Sequence, residues 1–350
     1  MLKRLEVKNF TVFSHAEINW SRGLNVIVGE NGTGKSQLMR LAYAVSYVGS
    51  RFLHAPRQDK VALQREIANK LVAVCKPEAL GRLVSRQQGR NRCEVKIDLV
   101  ESLSRGFAFR FATNSLEVKV SRPFLVKPHM AGPVFFPSHE MLSMFPGFIS
   151  LYDEHHLEFD ETYYDLAKAL DSPAKKRHPQ DVVLLIEELE KLIEGHIVLD
   201  NGRFYLVAPS RGKLEASLLA EGVRKLATLT FLLRNGSLSN KGTLFWDEPE
   251  TNLNPKLIRS LAAALFTLGR HGFQIVLATH SLFLLREIRI LAEASKKRKE
   301  RSPAACFIGI SKDLDQQSVT VVSSESLEDI HPLVLLDEDI EQTERYLQEG

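Results

Sequence analysis

The sequence is poor in the residues that mark secreted, metal-clustered or membrane-embedded chains. Among 350 residues there are three cysteines, Cys75, Cys93 and Cys306, and no two form a C-x-x-C pair. That scatter argues against a zinc ribbon and a disulfide framework, and it fits a reducing cytoplasm. No apolar run approaches the roughly 18 residues that cross a bilayer, and Met1-Leu2-Lys3-Arg4-Leu5-Glu6 lacks the apolar core of a signal peptide. The expectation is a cytoplasmic chain with no membrane partner. Excess charge is scarce too. A net charge of +3 does not argue for nucleic acid by itself, although a basic patch can hide in a nearly neutral total. Internal repeats, low-complexity linkers and long heptad runs are missing. What remains is ordinary for a globular protein, 44% hydrophobic and 25% charged, and long enough to bury a sizeable core.

Against that plain background the patterning is readable. Residues 2–28 read as strands: Leu5-Glu6-Val7-Lys8 alternates, and Leu24-Asn25-Val26-Ile27-Val28 is a buried run ending at Gly29. A helix is predicted from Lys35, with Leu38, Leu41, Ala42 and Val45 on one face. Residues 50–92 read as helical and basic, and 93–136 as strands closed by Val134-Phe135-Phe136 before Pro137. The stretch 140–200 reads as helical, with Leu185, Leu189 and Leu192 lining one side of a helix. A strand is predicted at 203–208, a helix from Glu221 to Leu233, and buried strands at 243–246 and 274–278 around a helix near 256–269. The tail reads as strand over 305–322 and helix over 339–348.

The first chemical motif is Gly29-Glu30-Asn31-Gly32-Thr33-Gly34-Lys35-Ser36, which fits G-x-x-x-x-G-K-[ST] in full. Its glycines let backbone N–H groups curl around phosphate oxygens, and the helix that follows aims its positive end at the same oxygens. Lys35 is expected to reach the β- and γ-phosphates and Ser36 to hold Mg²⁺, with Gln37 completing the nucleotide-binding set. The second motif is Thr243-Leu244-Phe245-Trp246-Asp247-Glu248, a buried strand ending in two carboxylates. Asp247 suits a hard cation, and Glu248, one residue on, suits the work of directing an attacking water.

Together with the motifs around them, these resemble the ABC class of ATPases. Leu219-Ala220-Glu221-Gly222-Val223-Arg224-Lys225 stands where that class has its signature, and Gly222 lies 25 residues before Asp247. His280, in Ala278-Thr279-His280-Ser281, lies 33 residues after Asp247 and resembles the switch histidine that senses the γ-phosphate. Thr251-Asn252-Leu253-Asn254-Pro255 resembles the D-loop that crosses the dimer interface. The resemblance implies an α/β fold: a P-loop NTPase with an ABC-type ATPase head, a mixed sheet, an antiparallel β subdomain and a helical insertion. It implies one ATPase domain over 1–350, with an N-terminal lobe (1–139), the insertion (140–200) and a C-terminal lobe (201–350). It further implies ATP and Mg²⁺ as ligands, and a homodimer closed through ATP. In that dimer Ala220, Glu221 and Gly222 of one copy complete the nucleotide site of the other. Ala220 departs from the usual serine and removes one hydroxyl hydrogen bond, on the order of 0.5–1.5 kcal/mol, so slow turnover is expected.

Within the class, Lys8-Asn9-Phe10, the run Gly23 to Gly32 and the asparagine at Asn31 resemble the SMC, RecF and OLD branch. The versions Glu221 to Leu226, Asp247 to Leu253 and Pro137-Ser138-His139-Glu140 resemble stand-alone bacterial ATPases of the AAA-15/AAA-21 type. That implies a separately encoded effector in a phage-defence or toxin–antitoxin-like pair. A DNA-repair ATPase of the RecF/SMC kind is the second reading, and a transporter subunit the third. Three features stay open at this level. Ser138 to Glu140 either line the nucleotide site or form a proline-capped loop. The basic clusters Arg82, Arg86, Arg90, Arg92 and Lys296 to Arg301 are either solvated helix ends or a DNA-binding groove. The apolar face in 140–200 either docks a partner or packs on its own lobe.

Overall fold

A computed structural model describes residues 1–54, 59–85, 91–100, 106–123, 131–155, 157–175, 177–298, 303–313, 318–331 and 341–347. Its N-terminal part alternates as the sequence does. Strands β1 (Leu2–Phe10) and β2 (Phe13–Asn19) form a hairpin, and β3 (Leu24–Gly29) follows as a buried run. Helix α1 (Lys35–His54) starts directly after the glycine-rich loop, and α2 (Lys60–Cys75) packs on it. Strands β4 (Arg92–Leu99), β5 (Phe107–Ala112) and β6 (Lys119–Arg122) join the hairpin in an antiparallel sheet ordered β2-β1-β4-β5-β6. Strand β7 (Val134–Phe136) belongs to a different sheet.

Helices α3 (Phe148–Glu154), α4 (Glu161–Leu170) and α5 (Gln180–Leu192) come next. Strands β8 (His196–Asp200), β9 (Arg203–Ala208) and β10 (Gly212–Glu215) make a small antiparallel sheet. Then follow α6 (Glu221–Asn235), β11 (Thr243–Asp247), α7 (Pro255–Arg270), β12 (Gln274–Thr279), α8 (Leu282–Lys297), β13 (Ala305–Asp313) and β14 (Ser318–Ser324). Residues 341–347 are helical, within the span expected.

The central sheet runs β14-β13-β3-β12-β11-β7, with every pair parallel except the β13–β14 hairpin. Strands β3, β12, β11 and β7 are buried on both faces, which is why they read as continuous apolar runs. Alternation splits each strand between two cores. Ile27, Phe245, Val276 and Ile308 face α1, α2 and the antiparallel sheet. Val26, Val28, Trp246 and Leu277 face α4 to α8. Each such side chain contributes roughly 1.5–3 kcal/mol by leaving water. The buried Gln274 amide ties strands together at the far end: it accepts from Leu2 N–H and Thr243 Oγ1 and donates to the Leu2 and Ser21 carbonyls.

Three expectations are corrected. The helical reading of 50–92 stops at Cys75, because Lys76 turns left-handed (φ 54°) and Pro77 cannot continue the helix. Residues 80–83 then form a short 3-10 turn and Arg92 opens a strand. The helical reading of 140–200 ends at Leu192, and 196–200 is a strand. Leu192 points outward, 42% exposed, while Leu185, Ile186, Leu189 and Ile193 carry the buried stripe. Its spacing is four residues (185, 189, 193), so Leu192 falls off the face. That stripe packs within the chain's own core, which settles the apolar face of this segment as intramolecular.

Candidate nucleotide site

The parallel strands β3, β11 and β12 are neighbours, and their C-terminal ends bring together three separated motifs. Such ends, with a helix starting from one of them, are where α/β sheets bind ligands. The loop from Gly29 to Gly34 leaves β3 and turns into α1. Thr33 closes it, its hydroxyl and N–H both donating to the Glu30 carbonyl (2.9 and 3.4 Å). Gly34 has φ 93°, and a Cβ there would lie 2.7 Å from both Val12 and Phe13 side chains, so the tip of the β1–β2 hairpin braces the loop.

Lys35 is buried and donates to the Gly29 and Glu30 carbonyls at 2.6 and 2.8 Å. Burial lowers its pKa; the nearby carboxylates of Glu248, Asp247, Glu250 and Glu30 oppose that shift. Ser36 donates to Asp247 Oδ1 at 3.0 Å, which joins the phosphate loop to the acidic strand. Burial raises the Asp247 pKa, against the Ser36 hydrogen bond and the charge of Arg40. Gln37 follows on α1, and its buried Oε1 accepts no hydrogen bond among the described residues. Glu30, Asn31 and Gly32 are exposed at the loop's surface.

Glu248 takes a left-handed backbone (φ 47°), uncommon for a residue with a side chain and a mark of strain at functional sites. Its N–H still donates to Ala278 O at 2.9 Å, so the strained residue is held to β12. His280 Nδ1 stands 3.4 Å from Glu248 Oε1 and 3.9 Å from Glu250 Oε1. The expected base and the expected sensor are therefore in contact, as are Ser36 and Asp247.

The signature residues lie at the start of α6. Ala220 is its N-cap, with no side-chain hydrogen bond to the first turn, and Glu221 and Gly222 open the helix. Gly222 is buried, and a Cβ there would meet Leu257 at 2.8 Å and Leu253 at 2.9 Å. In this chain the glycine lets α6 lie close against Leu253 and Leu257, whose side-chain ends would have to shift for a larger residue. Of the loop at 137–140, Glu140 pairs with Arg224 of α6 (2.7 Å) and His139 Nδ1 lies 3.1 Å from Tyr163 Oη. That loop braces the signature helix.

Sequence reasoning gave no role to Glu250, Lys225, Arg224 or Arg40. Glu250 holds Thr279 and His280, Lys225 holds the turn after the acids, and Arg40 pairs with Asp160 at 2.8 Å. The available signal was a third carboxylate three residues beyond Asp247. Of the basic residues, Arg82 pairs with Glu78 at 2.9 Å and Lys296 with Glu293 at 3.6 Å, both exposed. Arg86, Arg90 and residues 299–301 lie outside the described residues. No helix among the described residues is long and apolar enough to cross a membrane.

A glycine-rich phosphate loop on a central parallel strand, faced by an acidic strand end and a histidine turn, defines a P-loop NTPase of the ABC-type head architecture. Comparison with known proteins agrees. Residues 118–286 match the family model described as "AAA domain, putative AbiEii toxin, Type IV TA system", and residues 1–77 match that described as "AAA ATPase domain". An SMC head solved bound to the C-winged helix domain of ScpA superposes over 93% of this chain and 98% of its own, with TM-score 0.55 and 15% identity, which shows the fold. The DNA replication and repair protein RecF of Streptococcus suis is 36% identical over 63 residues, 18% of this chain and 16% of that protein. The chromosome partition protein Smc of Thermoplasma acidophilum is 39% identical over 62 residues, 17% of this chain and 5% of that protein. The chain matches under a fifth of the length of these curated relatives. The SMC-head superposition shows the fold of this chain, and the two family models it matches describe AAA-type domains.

Proposed function

We propose that this chain binds ATP with Mg²⁺, hydrolyses it slowly, and uses the bound nucleotide to hold two copies of itself together. The observation that carries the reading is the pairing of separated motifs at adjacent strand ends: Ser36 with Asp247, and Glu248 with His280. The oxygen donors of Ser36 and Asp247 fit a hard divalent cation that takes its other ligands from phosphate and water. When bound, Mg²⁺ would neutralise charge on the β- and γ-phosphate oxygens.

The protein's own residues do the rest. The amides of Gly29 to Ser36 and the N-terminus of α1 hold the phosphates. Lys35 exchanges the Gly29 and Glu30 carbonyls for phosphate oxygens, and Gln37 lies close behind. Glu248 accepts a proton from, or orients, the attacking water. His280 contacts the γ-phosphate. Ala220, Glu221 and Gly222 present the first turn of α6 to the nucleotide held by the partner copy.

The match over 118–286 to a family described by a toxin and a type IV TA system supports a role beside a separately encoded effector protein. The same reading puts the chain in the cytoplasm, where its three buried free cysteines stay reduced. The RecF and Smc likenesses favour a second reading, a DNA-associated ATPase. Phosphate release and fluorescent-ATP binding test the core reading. Glu248→Gln is expected to keep ATP affinity and lose about 100-fold or more in kcat; normal turnover by that variant would remove Glu248 from the mechanism. Duplex DNA titrated at 50 and 200 mM salt separates the two roles. A steep salt-dependent affinity together with stimulated turnover favours the DNA role.

A further inference from the structure

Glu250 is the best-anchored carboxylate of the site and the one that the mechanism above leaves unused. It is 7% exposed. Its Oε1 accepts from Thr279 Oγ1 at 2.6 Å and from the His280 N–H at 3.3 Å, and lies 3.9 Å from His280 Nδ1. Thr279 Oγ1 in turn accepts from Ser281 N–H at 2.9 Å, and Ser281 caps α8 through Leu284 N–H at 3.2 Å. One buried oxygen therefore fixes the backbone on both sides of His280, whose ring is half exposed.

The other oxygen, Oε2, is buried with no hydrogen-bond partner among the described residues. The backbone around Glu250 is held from the other side. Lys225, 3% exposed and one turn into α6, donates to Pro249 O at 3.3 Å and Thr251 O at 2.7 Å, the carbonyls flanking Glu250.

We infer that Glu250 is a positioning residue: its buried carboxylate sets the 279–281 turn that aims His280, and Lys225 ties the backbone on either side of Glu250 to the signature helix. The inference rests on the reading of His280 as the phosphate sensor. It adds that the signature turn and the sensor of one copy are joined through a single lysine and a single glutamate. Movement of α6 against a partner's nucleotide would reach His280 by this route.

The test uses the full chain carrying ¹³C-labelled histidine, with His280→Ala to assign the His280 resonance. Glu250→Ala and the milder Thr279→Val are expected to move that resonance and leave the other histidines in place. Both are expected to lower kcat about tenfold or more with ATP affinity within about twofold. Glu250→Gln, whose amide oxygen still accepts from Thr279 and His280, is expected to recover most of that loss. Glu250→Ala combined with His280→Ala is expected to be no slower than His280→Ala alone. An unmoved His280 resonance in Glu250→Ala and Thr279→Val, or losses that multiply in the double variant, overturns the inference. If His280→Ala leaves kcat unchanged, the sensor reading fails, and the resonance still decides whether Glu250 holds the ring.

Discussion

The phosphate loop and the signature turn both sit at helix N-termini, yet one is closed on itself and the other is open. At the loop, Lys35 and Thr33 bond to the Gly29 and Glu30 carbonyls, Ser36 bonds to Asp247, and Val12 and Phe13 pack beside Gly34. At the signature, no side chain caps α6, Ala220 offers a methyl group where a hydroxyl would serve, and Leu218 just before it is 77% exposed. A helix start carries unsatisfied N–H groups and a partial positive charge. In the first region these bonds fix the shape of the loop but accept from none of the α1 N–H groups, which are left for a nucleotide. The second leaves that demand to something outside the chain, and an anion held by another copy suits both its charge and its exposure.

The largest effect should come from the closed region. Lys35→Ala removes a buried cation with two hydrogen bonds, and charged hydrogen bonds contribute about 1.5–3 kcal/mol each. ATP affinity by fluorescence titration is expected to fall about 100-fold, with the fold intact by circular dichroism. A small loss would mean that the loop amides alone carry binding.

Gly222→Ala breaks the comparison from the other side. The new Cβ meets Leu253 and Leu257, so chemical denaturation is expected to show a loss of roughly 1–3 kcal/mol. Adding Leu257→Ala opens that space and should return part of the overpacking cost. No recovery would show that the cost does not arise from crowding against Leu257.

The smallest effect is expected at Ala220→Ser, which restores the missing hydroxyl. Dimer affinity in the presence of ATP should tighten about 2- to 10-fold, in keeping with one hydrogen bond. ATP affinity of the single copy should stay unchanged, because in the proposed dimer Ala220 faces the partner's nucleotide. A change in single-copy affinity would contradict the division of labour.

These two regions also differ in how far the sequence reveals them. The phosphate loop, the acidic strand and His280 are legible because their chemistry fixes residue types at fixed spacings, and the parallel strands are legible as long apolar runs. Parallel pairing of β3 with β12 and β13 joins segments far apart in the chain, and local pattern carries no register for that. Leu192 misled because one helical step separates a buried position from an exposed one near the end of α5. Gly222 reads as a phosphate contact; its packing beside Leu253 and Leu257 comes from tertiary structure and is not legible in local sequence. Glu250 and Lys225 look like solvated charges in sequence; their burial and their carbonyl and hydroxyl partners belong to the fold.

The central claim is that ATP joins two copies through these two regions. Light scattering on purified Glu248→Gln, with and without ATP and Mg²⁺, tests it most directly. The expected result is a mass that doubles from 39.5 kDa only with nucleotide, and no doubling when Lys35→Ala is added. A mass that stays at one copy while ATP is bound would contradict the account.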